Sequence, residues 1–140
     1  KLISENVLSV NDLIWPLFVT EGLKIKEEIP SMPGVYRNSI DELVKEAESA
    51  IKLGIPAIAI FPQIDKELKN SKGSESINED NLICRSIKSI KNEFPELGII
   101  TDVALDPFTD HGHDGLLING EICKSYSVTS GFFISINFTF

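Results

Sequence analysis

One short segment contains both histidines of the 140-residue chain together with four of its aspartates. It spans residues 101–115 and holds Asp102, Asp106, Asp110, His111, His113 and Asp114. Carboxylate oxygens favour Mg²⁺ and other hard cations, while carboxylate and imidazole groups also transfer protons. The residue types therefore indicate a cation site or acid–base chemistry, and solvated side chains of an Asp-rich loop are the structural alternative.

Asp102 differs from the other aspartates because apolar residues flank it on both sides within residues 99–105. An unpaired carboxylate is costly to bury, so a buried Asp102 would need a cation, a hydrogen-bond donor or a ligand as its partner. It could bind a substrate amine or relay protons, or it could be a structural acceptor for backbone amides. The residues alone leave both interpretations open.

The other possible metal ligands are few. His111 and His113 could bind a metal, transfer protons or hydrogen bond to the loop, and without a third ligand the structural role is favoured. Cys84 and Cys123 form no CxxC or Cys/His cluster. This spacing argues against a disulfide framework and against cysteine-bound zinc.

The elements that must position this segment alternate between strands and helices. Short apolar runs predict strands at 13–19, 55–61 and 99–105. Helical spacing of apolar residues predicts one helix between each pair of runs. This order predicts a parallel α/β sheet with right-handed crossovers, either an open doubly wound sheet or part of a barrel.

The helix boundaries follow from capping residues. Ser39 is the predicted N-cap of the first helix, and Gly54 is expected to end it. Asp80 is the predicted cap of the second helix. Residues 63–78 are polar and predict a long surface loop before that helix. Ligands of parallel α/β folds gather at the carboxyl ends of strands, where residues 101–115 begin.

Composition excludes some classes of partner. The formal net charge is −8 and no stretch concentrates the basic residues, so nucleic acid is not an expected partner. No apolar run approaches the roughly 18 residues that cross a bilayer, and the first residues build no signal-peptide core. We therefore expect a cytoplasmic protein that does not insert in membranes.

The end of the sequence has a different composition. Residues 125–140 contain no charged residue, and four phenylalanines fall within the last nine positions. Such a segment could form a strand or could lack evolved structure. A truncated gene or a change of reading frame after Cys123 would account for its composition.

Residues 102–115, DVALDPFTDHGHDG, closely resemble the metal loop of the porphobilinogen synthase (5-aminolevulinate dehydratase) family. Further motifs follow the family's order at 13–19, 29–37 and 73–75, and the resemblance covers about residues 4–122. It implies a (β/α)₈ TIM barrel, of which 13–122 would form about three βα units. Residues 1–12 would be a remnant of an N-terminal arm, and 123–140 an atypical tail.

The resemblance also implies a function. The family condenses two 5-aminolevulinate molecules to porphobilinogen in tetrapyrrole and haem synthesis, as a homo-oligomer usually of eight chains and without an organic cofactor. Asp102 matches the active-site aspartate beside the Schiff-base lysine. Zinc-type members carry three cysteines at the positions of Ala104, Asp106 and Asp114, and members with this replacement respond to Mg²⁺. Asp106 and Asp114 are therefore the metal-site candidates.

The family's two catalytic lysines lie in later barrel strands, and no lysine of this chain matches them. Schiff-base formation needs a positioned neutral amine, so we expect the isolated chain to be inactive. A non-catalytic α/β oligomerisation or binding module derived from the enzyme is the alternative. A metal-dependent hydrolase built on the Asp/His loop is a weaker third hypothesis.

Overall fold

The computed structural model describes residues 7–123. Residues 1–6 of the predicted arm lie outside the described residues. So does the predicted tail, apart from Cys123. The elements in chain order are β1 (Ile14–Thr20), β2 (Lys26–Glu28), β3 (Tyr36–Asn38), α1 (Ile40–Lys52), β4 (Ala57–Gln63), α2 (Leu82–Glu93), β5 (Gly98–Thr101), β6 (Leu116–Ile118) and β7 (Glu121–Cys123).

Five strands form the main sheet in the order β2-β3-β1-β4-β5. β1, β4 and β5 run parallel, with Leu17 opposite Ile60 and Ile58 opposite Ile99. β2 and β3 form a hairpin whose second strand pairs in parallel with the carboxyl end of β1. The predicted parallel α/β arrangement is confirmed, and its three consecutive parallel strands are too few to close a barrel of about eight.

One face of the sheet packs against both helices. Alternate strand residues point to this face and are buried, because side chains of a strand alternate between the two faces. The core residues from strands and helices include Leu17, Val19, Leu43, Ala47, Ile58, Ile60, Ile90 and Ile99. Each buried Leu or Ile contributes roughly 1.5–3 kcal/mol, so this layer holds the parallel strands in register.

The opposite face of the sheet, which we call the open face, exposes apolar side chains. Ile14 is 53% exposed, Phe61 37% and Ile100 38%. Phe18 also lies on this face, where its ring centroid is 5.7 Å from that of Phe61. In a complete barrel the face opposite the helices lines the interior, so its exposure here fits an incomplete barrel.

The first helix begins where the sequence predicted, but its capping residue bonds differently. Ser39 is the N-cap and makes no side-chain cap hydrogen bond. Its hydroxyl instead accepts from the Ile25 N–H at 2.9 Å and donates to Asp41 Oδ1 at 2.6 Å. Asp41 in turn accepts from the Lys24 N–H at 3.1 Å. These bonds attach the segment before β2 to the start of α1.

The predicted cap of the second helix is wrong by one residue. Asn81, not Asp80, is the N-cap, and its side-chain oxygen accepts from the Cys84 N–H at 2.9 Å. Asn81 is 1% exposed, whereas Asp80 is exposed and pairs with Lys88. Both residue types cap helices well, so their order in sequence did not distinguish them.

The predicted third strand is also too long. β5 ends at Thr101, so residues 102–105 of the predicted strand lie outside the sheet. Elsewhere, the predicted loop at 63–78 is a loop, which contains short 3₁₀ turns at Lys66–Leu68 and Ser74–Ile77. Among the described residues, neither helix combines the length and the apolar composition needed to span a bilayer.

Candidate functional site

Asp102 is the first residue after β5, at the carboxyl edge of the parallel sheet. The prediction that Asp102 lies within a strand is wrong, and its side chain is exposed. The sheet ends at Thr101, whose side chain is buried, and the chain leaves the sheet with the next residue. Exposure removes the need for a buried partner and leaves the carboxylate available for a ligand.

The residues after Asp102 form a closed loop. Asp114 Oδ1 accepts a hydrogen bond from the Leu105 N–H at 3.0 Å. The Thr109 side chain is almost fully buried, and its hydroxyl lies 3.1 Å from the His113 carbonyl oxygen. Phe108 is buried in the hydrophobic core. This segment, which we call the acidic loop (residues 102–115), is therefore anchored to the core and is not a freely solvated run of aspartates.

The two metal-site candidates lie in this loop without a third ligand. Asp106 and Asp114 are both exposed, and one oxygen of Asp114 is already engaged by Leu105. Within residues 7–123, no group of three or more His, Cys, Asp or Glu side chains is placed to hold a metal ion. Mg²⁺ usually keeps several waters and takes only one or two carboxylates. Oxygen donors of this kind suit a Mg²⁺ that keeps its waters, and among the described residues Asp106 and Asp114 form no protein cage for a metal ion.

The histidines pack against each other. The ring centroids of His111 and His113 are 5.9 Å apart, and the His113 N–H donates to His111 Nδ1 at 3.3 Å. In the described part of the chain, the buried Nε2 of His111 has no hydrogen-bond partner. Since Nδ1 is an acceptor here, a neutral His111 carries its proton on Nε2. His111 thus makes one hydrogen bond to the loop backbone, and the structural role stays a prediction.

Cys84 lies in α2, where partial burial raises the pKa of its thiol. A raised pKa keeps the thiol protonated at neutral pH and makes it a poor nucleophile. Cys123 lies in β7, opposite Leu116 of β6. Neither cysteine belongs to the acidic loop, whose possible metal ligands are carboxylates and imidazoles.

Two residues that contact the acidic loop were missed as site residues from the sequence. The Asn70 N–H donates to the Phe108 carbonyl oxygen, and the Asn70 carbonyl oxygen accepts from the Asp110 N–H, both at 3.3 Å. Gly73 packs beneath the same loop, close to Leu105. The sequence predicted only a long surface loop here, and loop composition does not identify the distant segment that a loop contacts.

Comparison with known proteins identifies the family. The sequence model of the family Delta-aminolevulinic acid dehydratase matches residues 1–137 and so extends into the segment set apart after residue 122. The Delta-aminolevulinic acid dehydratase of Bradyrhizobium diazoefficiens is 53% identical over 128 residues, which are 91% of this chain and 36% of that protein. The Chlamydia pneumoniae protein of the same name is 52% identical over 127 residues, covering 91% of this chain and 38% of that protein.

A solved structure agrees with these relatives. The crystal structure of the Toxoplasma gondii enzyme in complex with its reaction product porphobilinogen has a TM-score of 0.84 and 42% identity. The match covers 87% of this chain and 35% of that one. The chain thus spans little more than a third of the length of the proteins it matches. It belongs to the Delta-aminolevulinic acid dehydratase family, and its described residues form part of that family's barrel.

Proposed function

We propose that this chain supplies the first strands and the acidic loop of a porphobilinogen synthase, which condenses two 5-aminolevulinate molecules to porphobilinogen. The observation that carries the proposal is the position of Asp102. Its exposed carboxylate follows the last parallel strand, in a fold that matches an enzyme solved with porphobilinogen. Ligands of parallel barrels bind at this edge, where loops from several strands meet.

Asp102 is the proposed catalytic residue. Ile100, the last residue of β5 on the open face, precedes Asp102 by two positions, and an extended chain through Thr101 would bring Asp102 to the same side. That side would face the interior in a complete barrel. A carboxylate there can hold the substrate ammonium group, or take and return a proton while a lysine amine and a ketone form an imine and release water.

Asp106 and Asp114 are the residues proposed to face a Mg²⁺ ion. Asp106 is exposed, and Asp114 keeps one carboxylate oxygen free of the Leu105 amide. A divalent cation bound there would lower the repulsion among neighbouring carboxylates of the acidic loop. We place both aspartates near the active site and do not assign them direct, water-free ligation.

The lysines of the reaction are proposed to come from outside this sequence. The resemblance places them in later barrel strands, and Lys66, Lys69 and Lys72 lie instead in the polar loop before α2. Lys66 and Lys72 are exposed there and Lys69 is half-buried, and a flexible lysine in a polar loop is not held in position to attack a substrate ketone. The isolated chain is therefore proposed to be inactive. The full enzyme is proposed to be a cytoplasmic homo-oligomer.

The exposed apolar side chains of the open face favour a second candidate, a non-catalytic module that associates through this face. Ile14, Phe61 and Ile100 carry that alternative. A module of this kind would associate with a partner through the open face and would not contribute to porphobilinogen formation. The two candidates therefore differ in what a full-length enzyme does when it contains this segment.

The test is a full-length chimera in which residues 7–123 replace the matching segment of the Bradyrhizobium diazoefficiens enzyme. We expect the chimera to convert 5-aminolevulinate to porphobilinogen, and the isolated chain to form none. A folded chimera without turnover would contradict the proposal that this segment carries a competent acidic loop. Turnover by the isolated chain, or a borohydride-trapped adduct on one of its lysines, would contradict the proposed inactivity.

A further inference from the structure

Two loops from different strands meet at Asn70. The loop between β4 and α2 contains Asn70, whereas the acidic loop follows β5. Backbone hydrogen bonds of 3.3 Å join Asn70 to Phe108 and to Asp110, one in each direction. Asn70 thus offers both of its main-chain polar groups to the acidic loop.

The Asn70 side chain holds the turn that presents those groups. Its Oδ1 accepts from the Lys72 N–H at 3.0 Å and from the Ser74 N–H at 3.2 Å. Its Nδ2 donates to Ser74 Oγ at 2.6 Å. These contacts fix the backbone of residues 70–74, and an alanine at position 70 would lose all three.

Gly73 adds a packing contact between the same two loops. Its φ is +61°, in the left-handed region where glycine is favoured, and the residue is buried. A Cβ added there would lie 3.2 Å from Leu105 Cδ2 and 3.4 Å from Thr109 Cγ2. The turn therefore touches Leu105, whose N–H bonds to Asp114, and Thr109, whose hydroxyl bonds to the opposite side of the loop.

We infer that Asn70 is a positioning residue for the acidic loop. Its side chain orders the turn, the turn bonds to Phe108 and Asp110, and these bonds fix where the loop carboxylates lie relative to Asp102. The inference deepens the proposed function and rests on it, because the loop's position matters to turnover only if the loop carries the chemistry. Small displacements of catalytic groups lower rates strongly even when substrate binding persists.

The chimera provides the test, with Asn70→Ala, Asn70→Asp and Asn78→Ala as variants. Aspartate keeps an acceptor for the Lys72 and Ser74 amides and can accept from the Ser74 hydroxyl, so Asn70→Asp is the conservative rescue. Asn78 is the matched control. It lies in the same loop, where its Oδ1 accepts from the Asp80 N–H at 3.0 Å and its Nδ2 donates to Glu75 at 3.1 Å, and neither bond reaches the acidic loop.

Two readouts separate positioning from general stability. We expect Asn70→Ala to speed amide hydrogen exchange in residues 105–114 while exchange in α2 is unchanged, and to lower kcat about tenfold with KM within about twofold. Asn70→Asp should restore kcat to within about threefold of the unsubstituted chimera. Asn78→Ala should leave both the acidic-loop exchange and kcat unchanged.

Other outcomes would overturn the inference. Unchanged exchange at 105–114 in Asn70→Ala, or an equal kcat loss in Asn78→Ala, would show that Asn70 does not position the acidic loop. An unsubstituted chimera that folds but makes no porphobilinogen would contradict the proposed function instead. Hydrogen exchange would then still decide whether Asn70 orders the loop.

Discussion

The carboxylate of Asp114 accepts a hydrogen bond of 3.0 Å from the backbone N–H of Leu105, nine positions earlier in the chain. This bond closes the acidic loop around Asp106. By the sequence resemblance, Ala104, Asp106 and Asp114 occupy the cysteine positions of zinc-type members. The bond therefore joins the two short segments that contain the metal-site candidates Asp106 and Asp114.

Substitution of Asp114 distinguishes loop closure from metal binding. In the chimera, Asp114→Asn keeps an acceptor for the Leu105 amide, so we expect it to keep the loop closed. Asp114→Ala should lower the free energy of unfolding by about 1–2 kcal/mol, because a charge-assisted hydrogen bond is lost. Urea unfolding and activity with and without Mg²⁺ are the measurements. Loss of the Mg²⁺ response in Asp114→Asn with an intact loop would support the proposed place of Asp114 beside the metal, and an unchanged response would contradict it.

Asp102 should be required for turnover in the chimera. Asp102→Asn removes the proton acceptor and the negative charge while preserving shape, and we expect kcat to fall by about 10²- to 10⁴-fold. Asp65→Asn is the control, since Asp65 is an exposed loop carboxylate that makes no side-chain cap hydrogen bond. Near-normal turnover in Asp102→Asn would exclude Asp102 from the chemistry.

Much of the fold was predictable because its signals are local. The apolar runs and helical spacing correctly gave the order of β1, α1, β4, α2 and β5. The end of β5 was not predictable, because the apolar residues of 103–105 look like more strand. Leu105 is instead buried against the turn at Gly73, a contact set by residues far away in sequence.

For the candidate site, too, local features were predictable from the sequence and long-range contacts were not. The composition of the acidic loop was visible in the sequence, whereas the exposure of Asp102 depends on where the sheet ends. The role of Asn70 was hidden as well, since its partners Phe108 and Asp110 belong to another loop. Long-range backbone bonds of this kind leave no periodic pattern in the sequence.

The corrected helix cap gives a matched pair of variants. Asn81→Ala removes the acceptor of the Cys84 N–H and leaves a partly buried donor unpaired, so we expect the isolated chain to lose about 1–2 kcal/mol of unfolding free energy. Asp80→Ala removes only an exposed ion pair with Lys88 and should cost less than about 0.5 kcal/mol. The urea midpoint of the helical circular dichroism signal checks both. Equal losses of unfolding free energy in the two variants would contradict the assignment of Asn81 as the cap.

Asp41 should contribute to stability at neutral pH and less in acid. The Ser39 hydroxyl, followed by the Lys24 amide, lowers the pKa of Asp41 below its ordinary value of 3.8. Because the folded-state pKa is the lower one, this contribution is present above the unfolded pKa and is lost as pH falls through the folded pKa.

Urea midpoints of the isolated chain between about pH 5 and pH 2 test this dependence. We expect Asp41→Asn to unfold at lower urea than the unsubstituted chain at pH 5, with a difference that shrinks toward pH 2. Asp65→Asn, which removes the same charge elsewhere, is the control. If the two urea midpoints differ by the same amount at every pH in this range, Asp41 is not the source of the pH dependence.

The open face should make the isolated chain associate, and a charge placed there should prevent it. Ile100 lies on this face and is partly exposed, so Ile100→Lys adds a charge without entering the helix-packed core. We expect size exclusion to show a smaller species for Ile100→Lys than for the unsubstituted chain, with an unchanged circular dichroism spectrum. Asn92→Lys adds the same charge on the exposed surface of α2 and should still associate.

The same substitution should have the opposite effect in the chimera. There the later strands of the relative would cover the open face, so Ile100→Lys would place an unpaired charge inside the barrel. We expect the Ile100→Lys chimera to lose solubility or activity, whereas the Asn92→Lys chimera keeps both. If Ile100→Lys is tolerated in the chimera, or the isolated chain is monomeric without it, the open face does not correspond to a barrel interior.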